Sequence, residues 1–391
     1  MEKGRLLAID DDPQICELLQ DLGERASYQV CTTLNKVDFI ERYSSFNPTF
    51  IMLDLSLSRN DGVEILRFLS SEKCTCPIVI LSGCDERIRA SSVRVGQSYG
   101  LDIKKHLAKP VDITAILQLL QDSQPVHTAE LEKMIVQAIE KNELILYYQP
   151  KISISDQKLI GVEALVRWSP KDQPMVYPEI FIPLAEQSSF IKSLTFWVIE
   201  DAFKQNAAWK KSQYDFTIAI NLSASVLDDL VLPEKIESLS QIYEVNPKDI
   251  CFEVTESVMF SRLEVGMDIL TRLAIKGFKI SIDDFGTGFS SLVQLHKMPF
   301  SEIKVDKSFV MHATTDPDCW IIIKSIIDLG HNLRLKVVAE GVESKEVLEG
   351  LKKLNCDVAQ GYYFSKPIPV DTFNEWVKNN FDQNLILNQR F

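Results

Sequence analysis

The stretch Lys-Ile-Ser-Ile-Asp-Asp-Phe-Gly-Thr-Gly, residues 279–288, decides how the larger part of this chain folds. Its first half alternates polar and apolar residues over Lys279–Asp283, a pattern that predicts a half-buried strand. An acidic pair, Asp283 and Asp284, stands at the carboxyl end of that strand, and a loop over Phe285–Ser291 follows it. Because the loop has no Walker lysine, we predict that it is a flexible flap and not a phosphate-binding P-loop.

Strands of similar length recur on both sides of this one, from residue 130 onward. The remaining strand candidates are Ile145–Gln149, Gly161–Arg167, Thr217–Leu222, Ile250–Val254, Glu302–Asp306, Lys336–Ala339 and Asp357–Tyr362. Helical patterns separate most of them, at Ile191–Lys211, Glu264–Lys276, Ile321–Asn332 and Lys345–Leu354. About eight strands in roughly 250 residues are what a (β/α)₈ TIM-type barrel requires. Because no helical pattern separates the first two strands, we expect the barrel to be modified there.

Residues 1–122 show the same alternation in a shorter form and predict a separate domain. Strand candidates are Arg5–Ile9, Gln29–Thr33, Phe50–Leu53, Pro77–Leu81 and His106–Ala108. Helical patterns occupy Pro13–Ala26, Lys36–Tyr43, Asp61–Ser70, Asp85–Val95 and Val111–Leu120. Five βα units predict a doubly wound parallel sheet, so the whole chain is of the α/β class. The polar stretch Gln121–His127 predicts the boundary, with a linker at 123–129 and the barrel domain at 130–391.

The composition and the charge restrict the class of protein. The chain has 391 residues, of which 46% are hydrophobic and 25% charged, as in ordinary globular domains. The formal net charge of −13 disfavours binding to DNA, although metal ions can neutralise a small anionic substrate. The eight cysteines lack zinc-site spacing, and we expect reduced thiols. The sequence shows neither a signal peptide nor an apolar segment of ~20 residues, so we expect a cytoplasmic protein without a membrane partner.

The strand ends of the first domain carry groups that suit phosphoryl chemistry. In a parallel sheet these ends meet at one edge, and here they bring Asp10, Asp11, Asp54, Ser82 and Lys109. Three carboxylates repel each other unless a divalent cation lies among them, and oxygen ligands suit Mg²⁺. A carboxylate can accept a phosphoryl group, whose oxygens a hydroxyl and an ammonium can then bind. The alternative is that such acids only cap the next helix, which we accept for Asp12 before Pro13.

The predicted barrel carries polar groups at the ends of seven strands. In chain order they are Glu163, Asn221, Glu253, Asp283 with Asp284, Lys304, Glu340 and Gln360. Catalytic groups of such barrels converge from several strand ends on one mouth. Five carboxylates and an amide oxygen, without His or Cys, favour Mg²⁺ or Mn²⁺ over zinc, and an adjacent acidic pair suits a bridge between two ions. Taken singly, each residue could equally be a cap, a turn or a surface charge.

The first domain resembles the receiver domain of two-component response regulators. The matching segments are Leu-Leu-Ala-Ile-Asp-Asp-Asp-Pro (6–13), Met-Leu-Asp-Leu (52–55), Asp-Gly (61–62), Ile-Leu-Ser-Gly (80–83) and Leu-Ala-Lys-Pro (107–110). The resemblance implies that Asp54 is phosphorylated by a cognate histidine kinase. It also implies that Asp10, Asp11 and Asp54 hold Mg²⁺, and that Ser82 and Lys109 contact the phosphate. Two departures are His106, at the place of the usual switch Tyr or Phe, and Ser58, where a Pro is common.

Residues 130–370 resemble the EAL-domain phosphodiesterases, which open cyclic di-GMP to linear pGpG. The name-giving triplet is Glu163-Ala164-Leu165, within Gly-Val-Glu-Ala-Leu-Val-Arg-Trp (161–168). Further matches are Tyr-Gln-Pro (148–150), Phe-Ile-Pro-Leu-Ala-Glu (181–186), Asn-Leu-Ser (221–223), Glu-Val-Thr-Glu-Ser (253–257), Asp-Asp-Phe-Gly-Thr-Gly (283–288), Ile-Lys-Val-Asp (303–306), Val-Ala-Glu-Gly-Val-Glu (338–343) and Gln-Gly-Tyr-Tyr-Phe-Ser-Lys-Pro (360–367).

This second resemblance implies a role for each matching residue. One Mg²⁺ or Mn²⁺ would be held by Glu163, Asn221, Glu253 and Asp283, and a second by Asp283 with Asp284. Lys304 and Glu340 would position and deprotonate the attacking water. Contacts to the substrate, or to the water on the ions, would come from Gln149, Arg167 and Gln360, and Glu256 would anchor the flap. Barrels of this family commonly pair, so we expect a homo-oligomer.

Two functions stay open at this point. The first is a phosphodiesterase regulated by phosphorylation of Asp54. The second is an inactive EAL module that only binds cyclic di-GMP and signals through a partner; such modules lose metal ligands or the flap motif, and this sequence retains both. A diguanylate cyclase is excluded because the chain has no Gly-Gly-Asp/Glu-Glu-Phe segment. A DNA-binding regulator is excluded because no segment is left for a DNA-binding module.

Overall fold

The computed structural model describes residues 4–57, 62–83, 86–109, 113–122, 134–171, 174–186, 188, 190–256, 263–287 and 292–385. The predicted linker at 123–129, the departure at Ser58 and residues 288–291 of the predicted flap lie outside these ranges. The chain divides into two compact units, Met1–Met134 and Ile135–Phe391. Each unit has a sheet and a hydrophobic core of its own.

The first unit is built on a parallel sheet. Its strands are β1 (Arg5–Ile9), β2 (Gln29–Thr33), β3 (Phe50–Asp54), β4 (Ile78–Ser82) and β5 (Ile103–Ala108). They pair in the order β2-β1-β3-β4-β5. The helices are α1 (Pro13–Arg25), α2 (Lys36–Phe46), α3 (Gly62–Ser71), α4 (Glu86–Ser98) and α5 (Ile113–Asp122). The predicted doubly wound sheet is confirmed.

Apolar residues on both faces explain why the central strands of this sheet are buried. Leu7 and Ile51 pack into the core on one face, and Leu6 and Met52 pack into the core on the other. Parallel sheets covered by helices on both sides show such continuous apolar runs. Helix α1 begins where the sequence predicts, because the Asp12 side chain accepts a hydrogen bond from the amide of Gln14 at 2.9 Å.

Strand β5 is longer than predicted, and the prediction of its start at His106 was wrong. The strand begins at Ile103 and includes Lys104 and Lys105, which are exposed. It is an edge strand, and charged residues are common on edges because they discourage pairing with other chains. The two lysines interrupt the apolar run that otherwise signals a strand.

The second unit is a closed barrel with one strand reversed. Its strands are β6 (Leu144–Ser153), β7 (Leu159–Trp168), β8 (Thr217–Asn221), β9 (Ile250–Thr255), β10 (Lys279–Phe285), β11 (Glu302–Val305), β12 (Lys336–Ala339), β13 (Val358–Gln360) and β14 (Ile368–Pro369). Strands β7 to β13 pair in parallel, whereas β6 runs antiparallel to both β7 and β13 and closes the barrel. The predicted modified (β/α)₈ barrel is confirmed, including the irregularity at its first two strands.

Helices surround the barrel. They are α6 (Pro178–Glu186), α7 (Phe190–Lys211), α8 (Leu232–Ile242), α9 (Leu263–Ile275), α10 (Leu292–Lys297), α11 (Lys307–His312), α12 (Pro317–Asn332), α13 (Lys345–Lys353) and α14 (Val370–Leu385). Apolar residues of β10 to β13 pack against α12 and α13 in one continuous core. Across the described residues, no helix combines the length and the hydropathy needed to cross a membrane.

Two features of the barrel strands differ from the prediction. Strand β6 continues past Gln149 to Ser153, where Pro150 and the buried Lys151 interrupt the apolar pattern that signals a strand. Strand β14 was not predicted; its two residues, Ile368 and Pro369, pair antiparallel with Tyr148 and Tyr147 of β6. Such a short segment carries no periodic pattern.

Candidate active site at the barrel mouth

The carboxyl ends of β7 to β13 form one mouth, and the predicted polar groups lie there. Asn221 and Gln360 end their strands, and Glu340 directly follows β12. The others lie within their strands: Glu163, Glu253, Asp283, Asp284 and Lys304. Residues two apart point to the same side of a strand, so Gly161 and Ala219 face the interior below Glu163 and Asn221. Small residues in that layer leave room for the longer side chains above.

Lys304 lies at the centre of this mouth and is fully buried. Its Nζ is 2.6 Å from Glu340, 2.8 Å from Glu253, 3.0 Å from Asp283 and 3.7 Å from Glu163. Burial alone lowers the pKa of Lys304, but the surrounding carboxylates outweigh burial and raise the pKa well above its ordinary value. The lysine is therefore a fixed positive charge that joins acids from β7, β9, β10 and the end of β12.

Glu253 is held between two ammonium groups. Lys304 binds its Oε2 at 2.8 Å, and Lys151 binds its Oε1 at 2.6 Å. Burial raises the pKa of Glu253, but the two lysines outweigh burial and hold the pKa at about 2. Lys151 was missed at the sequence level, although its place two residues after Gln149 on β6 indicates that it faces the barrel interior.

Glu163 is held by amide side chains. Asn221 donates from Nδ2 to its Oε1 at 2.9 Å, and Gln360 donates from Nε2 to its Oε2 at 2.6 Å. The same Gln360 nitrogen also donates to Oε1 of Gln149 at 3.0 Å. Burial raises the pKa of Glu163, against the opposing effect of Lys304. The structure thus brings Gln149 and Gln360, from the first and last strands of the barrel, to the carboxylate of the name-giving triplet.

A compact group of three acids lies beside Lys304. Asp283, Asp284 and Glu340 each place one carboxylate oxygen within 4.8 Å of the others. The pairing of β10 with β11 is irregular between Ile282 and Phe285, and Asp284 has a left-handed φ of 53°. Irregularities of this kind re-aim side chains beside active sites. Burial, with Asp283 and Asp306 nearby, raises the pKa of Asp284 to about 7, and burial raises the pKa of Glu340 well above its ordinary value.

The residues of the mouth fit divalent cations. Five carboxylates share it with Lys304, so negative charge is in excess there. Among the described residues, nothing donates a hydrogen bond to the buried Oε1 of Gln360. A cation can bind a buried oxygen that receives no hydrogen bond. A cation also stabilises the charged form of buried carboxyl groups whose pKa is raised. The atoms that would bind a cation are oxygens, which are the ligands that Mg²⁺, Mn²⁺ and Ca²⁺ prefer.

Two further predicted residues are Glu256 and Arg167. Glu256 accepts a hydrogen bond at 3.0 Å from the amide of Gly286, in the loop that follows Asp284. The guanidinium of Arg167 lies 5.5 Å from the ring centroid of Tyr147 and donates to the carbonyl of Val166 at 2.8 Å. The roles of Glu256 as a flap anchor and of Arg167 in substrate binding stay predictions.

An apolar cavity opens beside Asn221. Its volume is about 280 Å³, and its wall includes Leu165, Pro178, Ile182 and Leu194. The cavity adjoins the acidic mouth because Asn221 belongs to both. A ligand with a flat apolar part would find a matching surface in the cavity, and an anionic part would fit the acidic mouth once divalent cations offset its negative charge.

The first unit has a second acidic site, at the carboxyl end of its sheet. Asp10, Asp11 and Asp54 place carboxylate oxygens within 4.8 Å of one another. Lys109 binds Asp10 at 2.7 Å and Asp54 at 2.9 Å. Burial raises the pKa of Asp10 despite the hydrogen bond from Lys109. Buried Ser82 ends the neighbouring strand β4, so the structure brings all five predicted residues to one edge.

Comparison with known proteins identifies both units. The model of the EAL domain matches residues 132–367, and the model of the response regulator receiver domain matches residues 6–121. This chain belongs to the EAL domain family. Its EAL domain follows a receiver domain, which is the architecture that the motifs predict.

Several curated proteins are similar to this chain over part or most of its length. The cyclic di-GMP phosphodiesterase RocR of Pseudomonas aeruginosa is 32% identical over 337 residues, which cover 83% of this chain and 85% of that protein. The bifunctional diguanylate cyclase/cyclic di-GMP phosphodiesterase MucR of the same organism is 38% identical over 236 residues, or 60% of this chain. The chain spans about a third of the length of MucR and of other curated relatives.

A solved EAL structure confirms the barrel. The MucR phosphodiesterase in complex with c-di-GMP superposes with a TM-score of 0.61 at 37% identity, covering 62% of this chain and 99% of the other. The EAL domain of FimX from Pseudomonas aeruginosa, bound to c-di-GMP, superposes with a TM-score of 0.57 at 25% identity, covering 61% and 96%.

Proposed function

We propose that this chain hydrolyses cyclic di-GMP to linear pGpG at the barrel mouth, and that phosphorylation of Asp54 regulates the reaction. The observation that carries the proposal is the buried group around Lys304, in which one ammonium contacts carboxylates from β7, β9, β10 and the end of β12. Buried charge at such density is costly for a fold and is typical of a catalytic site. The relatives RocR and MucR, whose names include this activity, support it.

Two divalent ions are proposed as cofactors, with Mg²⁺ or Mn²⁺ as the species. Glu163, Asn221, Glu253 and Asp283 would hold one ion, and Asp283 with Asp284 the other. When bound, the ions stabilise charge on the phosphodiester oxygens and activate water for in-line attack. The excess of carboxylates over ammonium groups at the mouth supports this assignment.

The side chains at the mouth would position the acids and accept the proton of the attacking water. Lys304 offsets the charge of Glu253, Asp283 and Glu340 and keeps them in one geometry. Glu340 lies 2.6 Å from Lys304, and burial raises its pKa, so it is a stronger base than an exposed carboxylate and would accept the proton of the attacking water. Gln360 donates to both Glu163 and Gln149 and would orient the Glu163 carboxylate, and Gln149 would contact the substrate.

The cavity beside Asn221 supports a dinucleotide substrate. A guanine base has a flat apolar face that the wall of Leu165, Pro178 and Ile182 can cover, and Glu186 in the same wall can accept hydrogen bonds from its edge. The phosphates would then lie towards the acidic mouth, where the ions offset their charge. A single cavity therefore accommodates one of the two bases.

The receiver domain supports regulation by a histidine kinase. Lys109 already bridges Asp10 and Asp54, so a phosphoryl group on Asp54 would compete for the same ammonium. The homo-oligomeric state and the cytoplasmic location stay predictions from the sequence.

The direct test is turnover of cyclic di-GMP by the full chain. Protein freed of metal by a chelator is refilled with Mg²⁺ or Mn²⁺, and the products are separated by chromatography. We expect pGpG with either ion and none with Glu163→Ala measured in parallel. Binding of cyclic di-GMP without pGpG under both conditions would instead support the binding-only module.

A further inference from the structure

Lys151 is a buried charge for which the proposed mechanism has no use. Its side chain is 3% exposed, and its Nζ lies 2.6 Å from Oε1 of Glu253 and 3.0 Å from Oε1 of Glu302. Burial alone lowers the pKa of Lys151, but these two carboxylates outweigh burial and raise the pKa. Lys151 is therefore a permanent ammonium inside the barrel.

The register places this contact below the mouth. Lys151 of β6 pairs with Gly161 of β7, which lies two residues before Glu163. On β11, Glu302 lies two residues before Lys304. Lys151 and Glu302 also line a cavity of about 120 Å³ with Thr217, Lys279 and Lys336, residues from the amino ends of the parallel strands. Lys151 thus reaches Glu253 from the floor of the barrel, while Lys304 holds its other oxygen.

Stability alone does not account for this arrangement. A buried ion pair recovers little more than the cost of removing its charges from water, and an apolar residue of similar size often serves a fold as well. The strand could bury an apolar side chain at this position, as it does at Ile152 on its other face. The position that Lys151 contacts is a predicted metal ligand, and carboxylates that bind metals are commonly oriented by a second hydrogen bond.

We propose that Lys151 is a positioning residue, which fixes the plane of the Glu253 carboxylate from the floor of the barrel so that the group is preorganised for a divalent ion at the mouth. This inference rests on the proposed function, because it takes Glu253 as a ligand. Glu302 is the counter-charge that makes the buried lysine tolerable.

The charge balance determines which variant is informative. Lys151→Met alone leaves Glu302 unpaired, and the added negative charge would attract a cation and mask the loss of orientation. The double variant Lys151→Met/Glu302→Gln removes one charge of each sign, so the net charge of the barrel floor stays the same. It also avoids leaving the partly buried carboxylate of Glu302 without its partner, which could prevent the single variant from folding.

The test measures Mn²⁺ affinity by titration calorimetry in the full chain. All proteins carry Asp11→Asn, so that the acidic site of the receiver does not contribute to the signal. We expect the double variant to bind Mn²⁺ at the barrel at least ~10-fold more weakly than the parent, the usual effect of losing such a partner. Lys336→Met, the same substitution at an exposed lysine lining the same cavity, should stay within about 3-fold of the parent.

The outcomes separate the two ideas. A folded double variant with unchanged Mn²⁺ affinity overturns the role of Lys151 and leaves the proposed function intact. A parent protein that binds no Mn²⁺ at the barrel overturns the proposed function and the inference together. A merely structural Lys151 would lower the melting temperature without changing the affinity, and that result also counts against the proposal.

Discussion

Lys304 and Glu340 form an ion pair of 2.6 Å between Nζ and Oε1, inside the mouth of the barrel. Lys304 also contacts Glu253 and Asp283, so one ammonium determines the positions of three acids. Of the residues described in the mouth, it makes the largest set of ion pairs, and it is the first target for mutation.

Replacing Lys304 by Met should abolish most turnover. The variant keeps the shape of the side chain but leaves the acids to repel each other, and we expect kcat to fall at least ~100-fold even when the ions are bound. Lys279→Met, at an exposed lysine of β10, is the matched control and should retain activity. A Lys304→Met protein that is folded, loaded with metal and fully active would refute the role.

The identity of the ion should matter. Mg²⁺ and Mn²⁺ should support hydrolysis, whereas Ca²⁺ should bind and inhibit, because it prefers longer bonds and more ligands than in-line attack between two ions tolerates. The measurement is the rate of pGpG formation in chelated protein refilled with a single ion. Comparable rates with Ca²⁺ alone would contradict a two-ion mechanism.

The metal-free protein should lose stability as the pH rises towards 8. The pKa of Asp284 is about 7 in the fold, against about 3.9 in an unfolded chain, so the folded state binds the extra proton between these values. Stability therefore falls with increasing pH through this window. Asp284→Asn cannot ionise, and in chelated protein its melting temperature relative to wild type should be higher at pH 8 than at pH 6. An equal difference at both pH values would contradict the raised pKa.

Gly361→Ala should damage both the fold and the site. A Cβ at this position would lie 2.2 Å from the carbonyl oxygen of Val342 and 2.3 Å from its nitrogen. Relief requires moving the backbone beside Gln360, whose carbonyl accepts a hydrogen bond from Val342 at 3.1 Å. We expect a loss of about 2 kcal/mol in the free energy of unfolding and a lower kcat. Gly266→Ala is the control, since its Cβ meets nothing within 4 Å, and it should be neutral or stabilising.

A phosphoryl mimic on the receiver should change the rate of the barrel. Beryllofluoride at Asp54 would draw Lys109 away from Asp10, and we expect the hydrolysis rate to change at least ~3-fold, a coupling of ~0.7 kcal/mol. Asp54→Asn should remove the response, and His106→Phe should keep it. If beryllofluoride changes neither the rate nor the substrate affinity nor the oligomeric state, the receiver does not control this barrel through Asp54.

Hydrophobic pattern alone predicted both folds, because the strands of each sheet are short apolar runs separated by turns and helices. The residues of the mouth could also be predicted, because residues such as Asn221 and Asp283 stand at the carboxyl ends of such runs, and parallel strands bring their ends together. The contacts of Lys151 were not predicted, because a buried lysine breaks the apolar pattern of a strand. Its partners Glu253 and Glu302 are also ~100 residues or more away along the chain. Contacts across a closed barrel depend on register, and the sequence of one strand does not specify it.

The closing pair of strands also determines when the site can form. Gln149 and Gln360 are joined by a hydrogen bond across 211 residues, and β6 has no second neighbour until β13 has been made. At ribosomal rates of about 5–20 residues per second, Gln360 is synthesised roughly 10–40 s after Gln149. The five receiver strands, in contrast, all lie before residue 109 and are complete much earlier. During synthesis the nascent barrel therefore exposes an unpaired β6 edge, and this interval is when the chain most needs protection from aggregation.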